Sequence, residues 1–272
     1  MTTLVLSRKK SRLFRELNSV MTVVAREITA YIKSPGAAIM SLAMPLVMMG
    51  MIGGNLMQNM GGGVGFGLGQ FMLVGMLVNM LFMITSMGVA SMVDDHDIDF
   101  NQEMLVAPVS RYSLVLGKII GSAFAAVVSI AGTLIVGLVM GITLPPGKML
   151  LILALSPLMC LTGGALAMLV IGLIKKRKTA NFAINIIVMS QMFLSGAIIP
   201  ISNSSGFLMF ISRLMPMTYC IDLARAVVYA GTPDYDRVVM FNPLLNFAMI
   251  ALLTVTCLVI GTLLFARSEK NR

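Results

Sequence analysis

Acidic side chains that could bind a metal ion gather in one short run of this 272-residue chain. Residues 94–99 hold four aspartates and the only histidine, and carboxylate and imidazole groups are ligands for divalent cations. Their spacing differs from that of an EF-hand loop, which needs a glycine and a distal glutamate. A run of this kind is more often an exposed acidic linker. We predict a solvated segment without a bound metal, with cation binding as the alternative.

Other polar side chains interrupt apolar sequence, where they need partners. Asp222 and Arg225 stand three residues apart, on one face of a helix. They could pair in partly dry surroundings, either to hold a local hairpin or to form an exit gate. Four amides within apolar runs could bond to neighbouring helices or contact a transported substrate. These amides are Asn79, Asn181, Asn185 and Gln191.

Motifs for nucleotide or zinc binding are missing from the sequence. The glycine-rich segment 61–69 lacks the GxxxxGK(S/T) pattern and follows no predicted strand, so we predict a flexible connection. Because no Walker motif occurs, any ATP used must bind to another polypeptide. The three cysteines are widely separated and form no CxxC pair. We therefore expect no cofactor on this chain and no enzyme activity of its own.

The amino-acid composition indicates the class of structure that holds these polar groups in place. Hydrophobic residues make up 58% of the chain, charged residues only 11%, and mean hydropathy is +0.93, which is typical of an all-α integral membrane protein. Six stretches are long enough to cross about 30 Å of hydrocarbon as helices. These predicted spans are 36–57, 70–92, 113–141, 149–174, 179–200 and 243–266.

The basic residues separate by side of the membrane. With the N-terminus inside, sixteen of the twenty Lys and Arg residues fall in inner segments, including the tight turn Lys175–Lys178. The positive-inside rule then places both termini in the cytoplasm. This turn either fixes the orientation of the chain in the membrane or contacts a partner or anionic lipid. The net charge of +9 thus reflects topology and membrane lipid, and we predict no nucleic-acid partner.

Three segments outside the spans have recognisable patterns. The pattern of residues 11–33 predicts an amphipathic helix in the membrane interface. Arg15, Glu16 and Arg26 lie outside its apolar face. The helix either anchors the chain or transmits movement from a cytoplasmic partner. Residues 94–112 predict a cytoplasmic loop with a short helix ended by Pro108. Residues 201–242 contain two short apolar helices, which predict an outer re-entrant hairpin.

Two motifs in these segments carry a family resemblance. The loop reads E-x-L-x-x-P-x-S-R from Glu103 to Arg111, and the hairpin reads P-x-T-Y-x-x-D-x-x-R from Pro216 to Arg225. Together they resemble the membrane subunits of ABC-2 type exporters, especially the daunorubicin-resistance and nodulation-factor permeases. The similarity runs in order along nearly the whole chain, which would make residues 1–272 a single transmembrane domain.

The resemblance implies a role for each matching segment. The loop would dock on a separate ATPase subunit, present in two copies with ATP and Mg²⁺, and residues 11–33 would be the interface helix. The chain would form a homodimer in a bacterial or archaeal plasma membrane and export an amphipathic, lipid-like or drug-like substrate. The implied coupling residues are Glu103, Met104, Leu105, Pro108 and Arg111. The implied outer-hairpin or gate residues are Pro216, Tyr219, Asp222 and Arg225.

Two other classes of membrane protein compete with this interpretation. An ATP-independent secondary transporter or channel predicts ionisable residues at membrane depth, and none stands convincingly within the six spans. A lipid-modifying membrane enzyme predicts converging carboxylates or histidines, and only the run 94–99 qualifies.

Methionines cluster in the first two spans, where they are either ordinary packing or an adaptable surface for apolar substrates. They are Met48, Met49, Met72, Met76, Met80, Met83 and Met87.

Overall fold

The computed structural model describes residues 2–60, 66–94, 111–174, 176–201 and 206–270. Every regular element in these ranges is helical, which confirms the predicted all-α class. The helices are α1 (Thr2–Lys33), α2 (Pro35–Val47), α3 (Gly54–Met60), α4 (Leu68–Asp94), α5 (Arg111–Val139), α6 (Pro146–Leu173), α7 (Arg177–Leu194), α8 (Gly206–Leu214), α9 (Pro216–Val228), α10 (Tyr235–Val238) and α11 (Pro243–Lys270).

Five described stretches are long and apolar enough to cross a membrane, so the chain is a multi-pass membrane protein. They are Ala38–Leu56, Leu68–Ser91, Tyr112–Val139, Pro146–Leu173 and Tyr235–Arg267. The bent pair α8–α9 counts as a sixth if it is taken as one span. Whether that pair re-enters the membrane, as the sequence predicts, stays a prediction.

The first span is not one regular helix. A π-helical segment, Met48–Gly53, separates α2 from α3. It begins shortly after Pro45, which lies inside α2 and cannot donate the backbone hydrogen bond that a regular helix needs there. Short π segments of this kind interrupt α-helices without ending them.

The predicted fifth span, 179–200, differs most from the structure. Its helix, α7, ends at Leu194, and the chain then turns through Gly196, which has a φ of +78°. Glycine adopts this conformation without steric cost and commonly ends helices. The 18 residues of α7 extend about 27 Å, but its amides lower its hydropathy, and α7 is not among the five described spans.

Helix α4 forms the centre of the bundle. It packs against α5, α6, α7 and α9, and its residues 71–82 are buried on all faces, as expected for a helical segment that is apolar all round. Four of the clustered methionines are core residues, fully or almost fully buried. They are Met49, Met72, Met76 and Met80.

Helix α1 begins earlier than predicted and runs beside α5 in the same direction. Tyr31 meets Phe124 edge to face, with ring centroids 6.1 Å apart. Gly117 and Gly121 of α5 allow the close approach, since a Cβ at either position would meet side chains of α1. The angle between α1 and the membrane stays a prediction.

Candidate functional site

The bundle has two distinct ends. The basic end is where α4 and α11 finish and α5 and α7 begin, and it exposes Lys176, Lys178 and Arg267. The hairpin end is where α4, α6 and α11 begin, and it carries the bent pair α8–α9. Most of the candidate residues that the structure describes lie at one end or the other, and the remaining ones lie on α4 and α7.

The hairpin itself bends by 92°, and side chains of α9 hold the bend. Pro216 is the first residue of α9, where its fixed φ suits a helix start. The hydroxyl of Thr218 donates to the carbonyl of Ser212 at 2.7 Å. The hydroxyl of Tyr219 donates to the carbonyl of Arg213 at 2.7 Å. Two of the predicted hairpin residues, Pro216 and Tyr219, therefore shape the turn.

Arg225 connects α9 to the ends of two other helices. Its Nη2 donates to the carbonyls of Gly196 at 2.8 Å, Ala197 at 3.3 Å and Phe71 at 3.3 Å. The guanidinium carbon also lies 3.3 Å from the centroid of the Phe71 ring, a cation–π arrangement. Only 3% of the arginine is exposed. Its charge is thus stabilised by carbonyl dipoles and an aromatic face.

Asp222 binds a different segment, the entry into α11. Its carboxylate accepts hydrogen bonds from the backbone N–H groups of Met240 at 2.8 Å and Phe241 at 2.9 Å. The side-chain amide of Asn246 donates to it at 2.8 Å. The pairing of Asp222 with Arg225 that their spacing suggested is therefore corrected, because each residue bonds to other segments of the described structure.

The C-terminal end of α9 is fixed by the start of α6. The amino group of Lys148 donates to the carbonyl of Val228 and, at 3.3 Å, to that of Ala230. A cation at this position also interacts favourably with the helix dipole. Burial raises the pKa of the adjacent Tyr229 to about 12.

At the basic end, the polar contacts that join α1 to α5 include one ion pair and one hydroxyl–carboxylate bond. The amino group of Lys118 lies 2.9 Å from Oε1 of Glu27, and both side chains are largely buried. The hydroxyl of Ser113 donates to Glu16 at 2.5 Å, so Glu16 faces α5. Arg26 is partly buried on α1, and Arg15 lies in α1 with its side chain outside the described set.

The predicted coupling residues fall mostly outside the described part of the chain. Glu103, Met104, Leu105 and Pro108 lie in the undescribed range 95–110. Arg111 is the first residue of α5, and its side chain is not described. Their contacts therefore stay predictions, although α5, which follows directly, is the helix that binds α1.

Two of the four predicted amides line a cavity of about 300 Å³ between α2, α4 and α7. Asn79 and Asn185 lie in its wall, whereas Asn181 and Gln191 are not lining residues. On the flank of the bundle, the α7 residues Phe182 and Met189 are more than half exposed. We call the cavity between α2, α4 and α7 the lateral cavity. Six methionines line it: Met44, Met48, Met83, Met87, Met189 and Met192.

The amides differ in how well they are satisfied. Asn185 donates to the carbonyl of Asn181 at 2.9 Å within α7. Asn79 donates to the sulfur of Met217 at 3.8 Å, and Gln191 accepts from the backbone N–H of Met217 at 3.4 Å. Oδ1 of Asn79 and Nε2 of Gln191 are buried without a hydrogen-bond partner. Residue Met217 of the hairpin therefore lies between two incompletely bonded amides.

Sequence reasoning missed several residues that hold these regions together. Glu27, Lys118 and Ser113 were not predicted site residues, although Gly117 and Gly121 form the small-xxx-small spacing that permits close helix packing. That spacing could have identified the α1–α5 contact. Phe71 had no such signal, because its partner Arg225 is 154 positions away.

Comparison with known proteins identifies the family. The family model of the ABC-2 type transporter matches residues 18–229, well over half of the chain. Nodulation protein J of Rhizobium meliloti (strain 1021) is 27% identical over 135 residues, which cover 48% of this chain and 50% of that relative. The match thus spans about half the length of the curated relative. The chain belongs to the ABC-2 type transporter family.

Proposed function

We propose that this chain is the transmembrane permease subunit of an ATP-binding cassette exporter. It moves an amphipathic, lipid-like or drug-like compound out of the cytoplasm or inner leaflet, and a separate ATPase subunit supplies the energy. The observation that carries the proposal is the lateral cavity, a mostly apolar space within a chain of the ABC-2 transporter family. Such a cavity suits an apolar body with few polar groups.

The proposal places the basic end in the cytoplasm of a bacterial or archaeal cell. Exposed Lys176, Lys178 and Arg267 lie at that end, as the positive-inside rule requires. Both termini and the segment 94–112 are then cytoplasmic, where an ATPase can reach them. The segment 201–242 lies outside.

Coupling to the ATPase passes through α5 in this proposal. The ATPase docks on segment 94–112, which leads directly into α5, and the Glu27–Lys118 ion pair keeps α1 in contact with α5 as α5 moves. Charge reversal at Glu103 or Arg111 should abolish transport while leaving the protein inserted in the membrane. Normal transport and normal partner-dependent ATP turnover in both variants would contradict the assignment.

A homodimer completes the path in this proposal. The flank that carries the lateral cavity presents exposed apolar residues of α7, including Phe182 and Met189, which a second copy would cover. We expect Met189→Cys to give crosslinked dimers in membranes. Val255→Cys, equally exposed on α11, is the control and should stay monomeric. Equal crosslinking at both positions would contradict this dimer.

Purification in mild detergent tests the function itself. The proposal predicts that an ATPase with Walker motifs co-purifies in a 1:1 ratio, as expected for two copies of each subunit, and that the complex transports only with ATP. Transport by the purified chain alone, without ATP, would contradict the proposal and favour a secondary transporter or channel.

A further inference from the structure

We propose that Asn79 and Gln191 form a polar subsite beside the lateral cavity that binds a substrate group able both to donate and to accept hydrogen bonds. A hydroxyl or a carboxamide on an apolar body has this chemistry. The inference rests on the proposed function, since it places the subsite on the export path. It adds a hydrogen-bonding requirement on the substrate, which the shape of the cavity alone does not impose.

The first argument is the number of unused hydrogen-bonding atoms. Asn79 and Gln191 are each only 1% exposed, and each leaves one side-chain atom unpaired. The unpaired atom of Asn79 is an acceptor oxygen, and that of Gln191 is an amide nitrogen, which donates. An unpaired buried polar group is unfavourable. A ligand group that donates to the first and accepts from the second would satisfy both.

The second argument is that the present partner of both amides is weakly held. Met217 accepts from Asn79 through its sulfur, a poor acceptor, at 3.8 Å. Its N–H donates to Gln191 at 3.4 Å, which is long for this type of bond. Both contacts come from the first turn of α9, next to the break at Pro216. A small movement of the hairpin would therefore free both amides for a ligand.

The third argument is the surroundings. Asn79 lies in the wall of the lateral cavity, whose other lining residues are apolar except for Asn185. The methionines in that wall are flexible and polarizable, so they accommodate apolar groups of different shapes. The head group would therefore be recognised at Asn79 and Gln191, and the apolar body would lie among the methionines.

Asn185 provides the matched control within the same cavity. Its amide group already donates to the carbonyl of Asn181 at 2.9 Å. It is the same residue type in the same wall, but its side chain is exposed, so it has no cost of burial for a ligand to relieve. The proposal therefore gives it no part in head-group recognition.

The test uses the purified chain in lipid nanodiscs and a long-chain alcohol that carries a photoreactive diazirine. Labelled peptides are mapped by mass spectrometry, and the matched methyl ether, which cannot donate, is the comparison. We expect the alcohol to label the cavity methionines on the order of fivefold more than the ether, the value of one net hydrogen bond. Excess alcohol without the diazirine should reduce this labelling, whereas excess ether without the diazirine should not. Equal labelling by alcohol and ether would overturn the proposal.

Two variants sharpen the result. Asn79→Leu should reduce labelling by the alcohol to the level of the ether, whereas Asn185→Leu should leave the preference intact. Equal loss in both variants would overturn the assignment. The wild-type comparison of alcohol with ether remains decisive if Asn79→Leu does not fold. Failure of this subsite is distinguishable from failure of the exporter proposal, because co-purification with an ATPase does not depend on the head-group preference.

Discussion

At the hairpin end, charged side chains bond mainly to backbone groups, whereas at the basic end they bond to other side chains. Arg225 and Asp222 together hold carbonyl and N–H groups of residues 71, 196–197 and 240–241. The contact between α1 and α5 relies instead on Glu27 with Lys118 and on Ser113 with Glu16.

This difference indicates which end of the bundle is fixed. Backbone groups cannot change rotamer, so a side chain that bonds to several of them holds their segments in one arrangement. Pairs of long side chains can change rotamer and keep their contact while their helices shift. The hairpin end is therefore a fixed frame for α4, α7, α9 and α11, and the basic end is the adjustable one.

The largest effect is expected for Arg225→Met. The change leaves three buried carbonyls without this donor, and an unpaired buried polar group costs about 1–3 kcal/mol, so we expect a destabilisation of about 3 kcal/mol or more. Thermal or denaturant unfolding in detergent measures it. Arg213→Met is the control. Because Arg213 is exposed, this change should lower the free energy of unfolding only slightly. Equal effects would contradict the fixed-frame interpretation.

Loss of the ion pair at the basic end should cost less. Glu27→Leu or Lys118→Met removes a largely buried charge-assisted hydrogen bond, worth about 1.5–3 kcal/mol. Exchange of the two charges, Glu27→Lys with Lys118→Glu, should recover much of that stability because the pair consists only of side chains. A double variant less stable than both single ones would show that the pair cannot be replaced.

The close packing at the hairpin end is tested with glycine. A Cβ at Gly75 would overlap the carbonyl of Ala197, one of the groups that Arg225 binds. Overpacking of this kind costs about 1–3 kcal/mol, so Gly75→Ala should lower the unfolding midpoint. Gly54→Ala is the matched control, because nothing lies within 4 Å of a Cβ there, and it should be neutral or stabilising.

The smallest effect is expected for Ser113→Ala. It removes the hydrogen bond to Glu16, and we expect a loss of about 1 kcal/mol. Ser91→Ala, which removes only a bond to the carbonyl of Gly88 within α4, serves as control. A larger loss for Ser113→Ala than for the Glu27–Lys118 variants would mean that the hydroxyl, and not the ion pair, holds α1.

Membrane spans could be predicted because the bilayer imposes length and hydropathy on each of them. Predicted 70–92 corresponds to Leu68–Asp94, and predicted 243–266 to Pro243–Lys270. The predicted end of the span 179–200 is wrong, because α7 ends at Leu194 and the Ser195–Gly196 turn that follows was read as part of an apolar run; that α7 crosses the membrane stays a prediction. Hydropathy averages over such a turn, whereas the glycine after Leu194 is a recognisable helix end.

The candidate sites could be predicted only as far as local spacing allowed. Asp222 and Arg225 were identified as a buried polar pair, but their partners come from residues far along the chain. The methionines of α4 looked alike in sequence, yet Met76 and Met80 are core residues while Met83 and Met87 line the lateral cavity. Which face of a helix meets a cavity depends on its neighbours, and one sequence does not contain that information in local form.

The most direct test of the central claim measures ATP turnover by the partner ATPase in nanodiscs with and without this chain. The account predicts that the chain changes turnover, that Glu27→Lys abolishes the change, and that adding Lys118→Glu restores it. Arg213→Met should behave as the wild type does. Turnover that is the same with and without the chain would contradict its role as the permease subunit of an ATP-driven exporter.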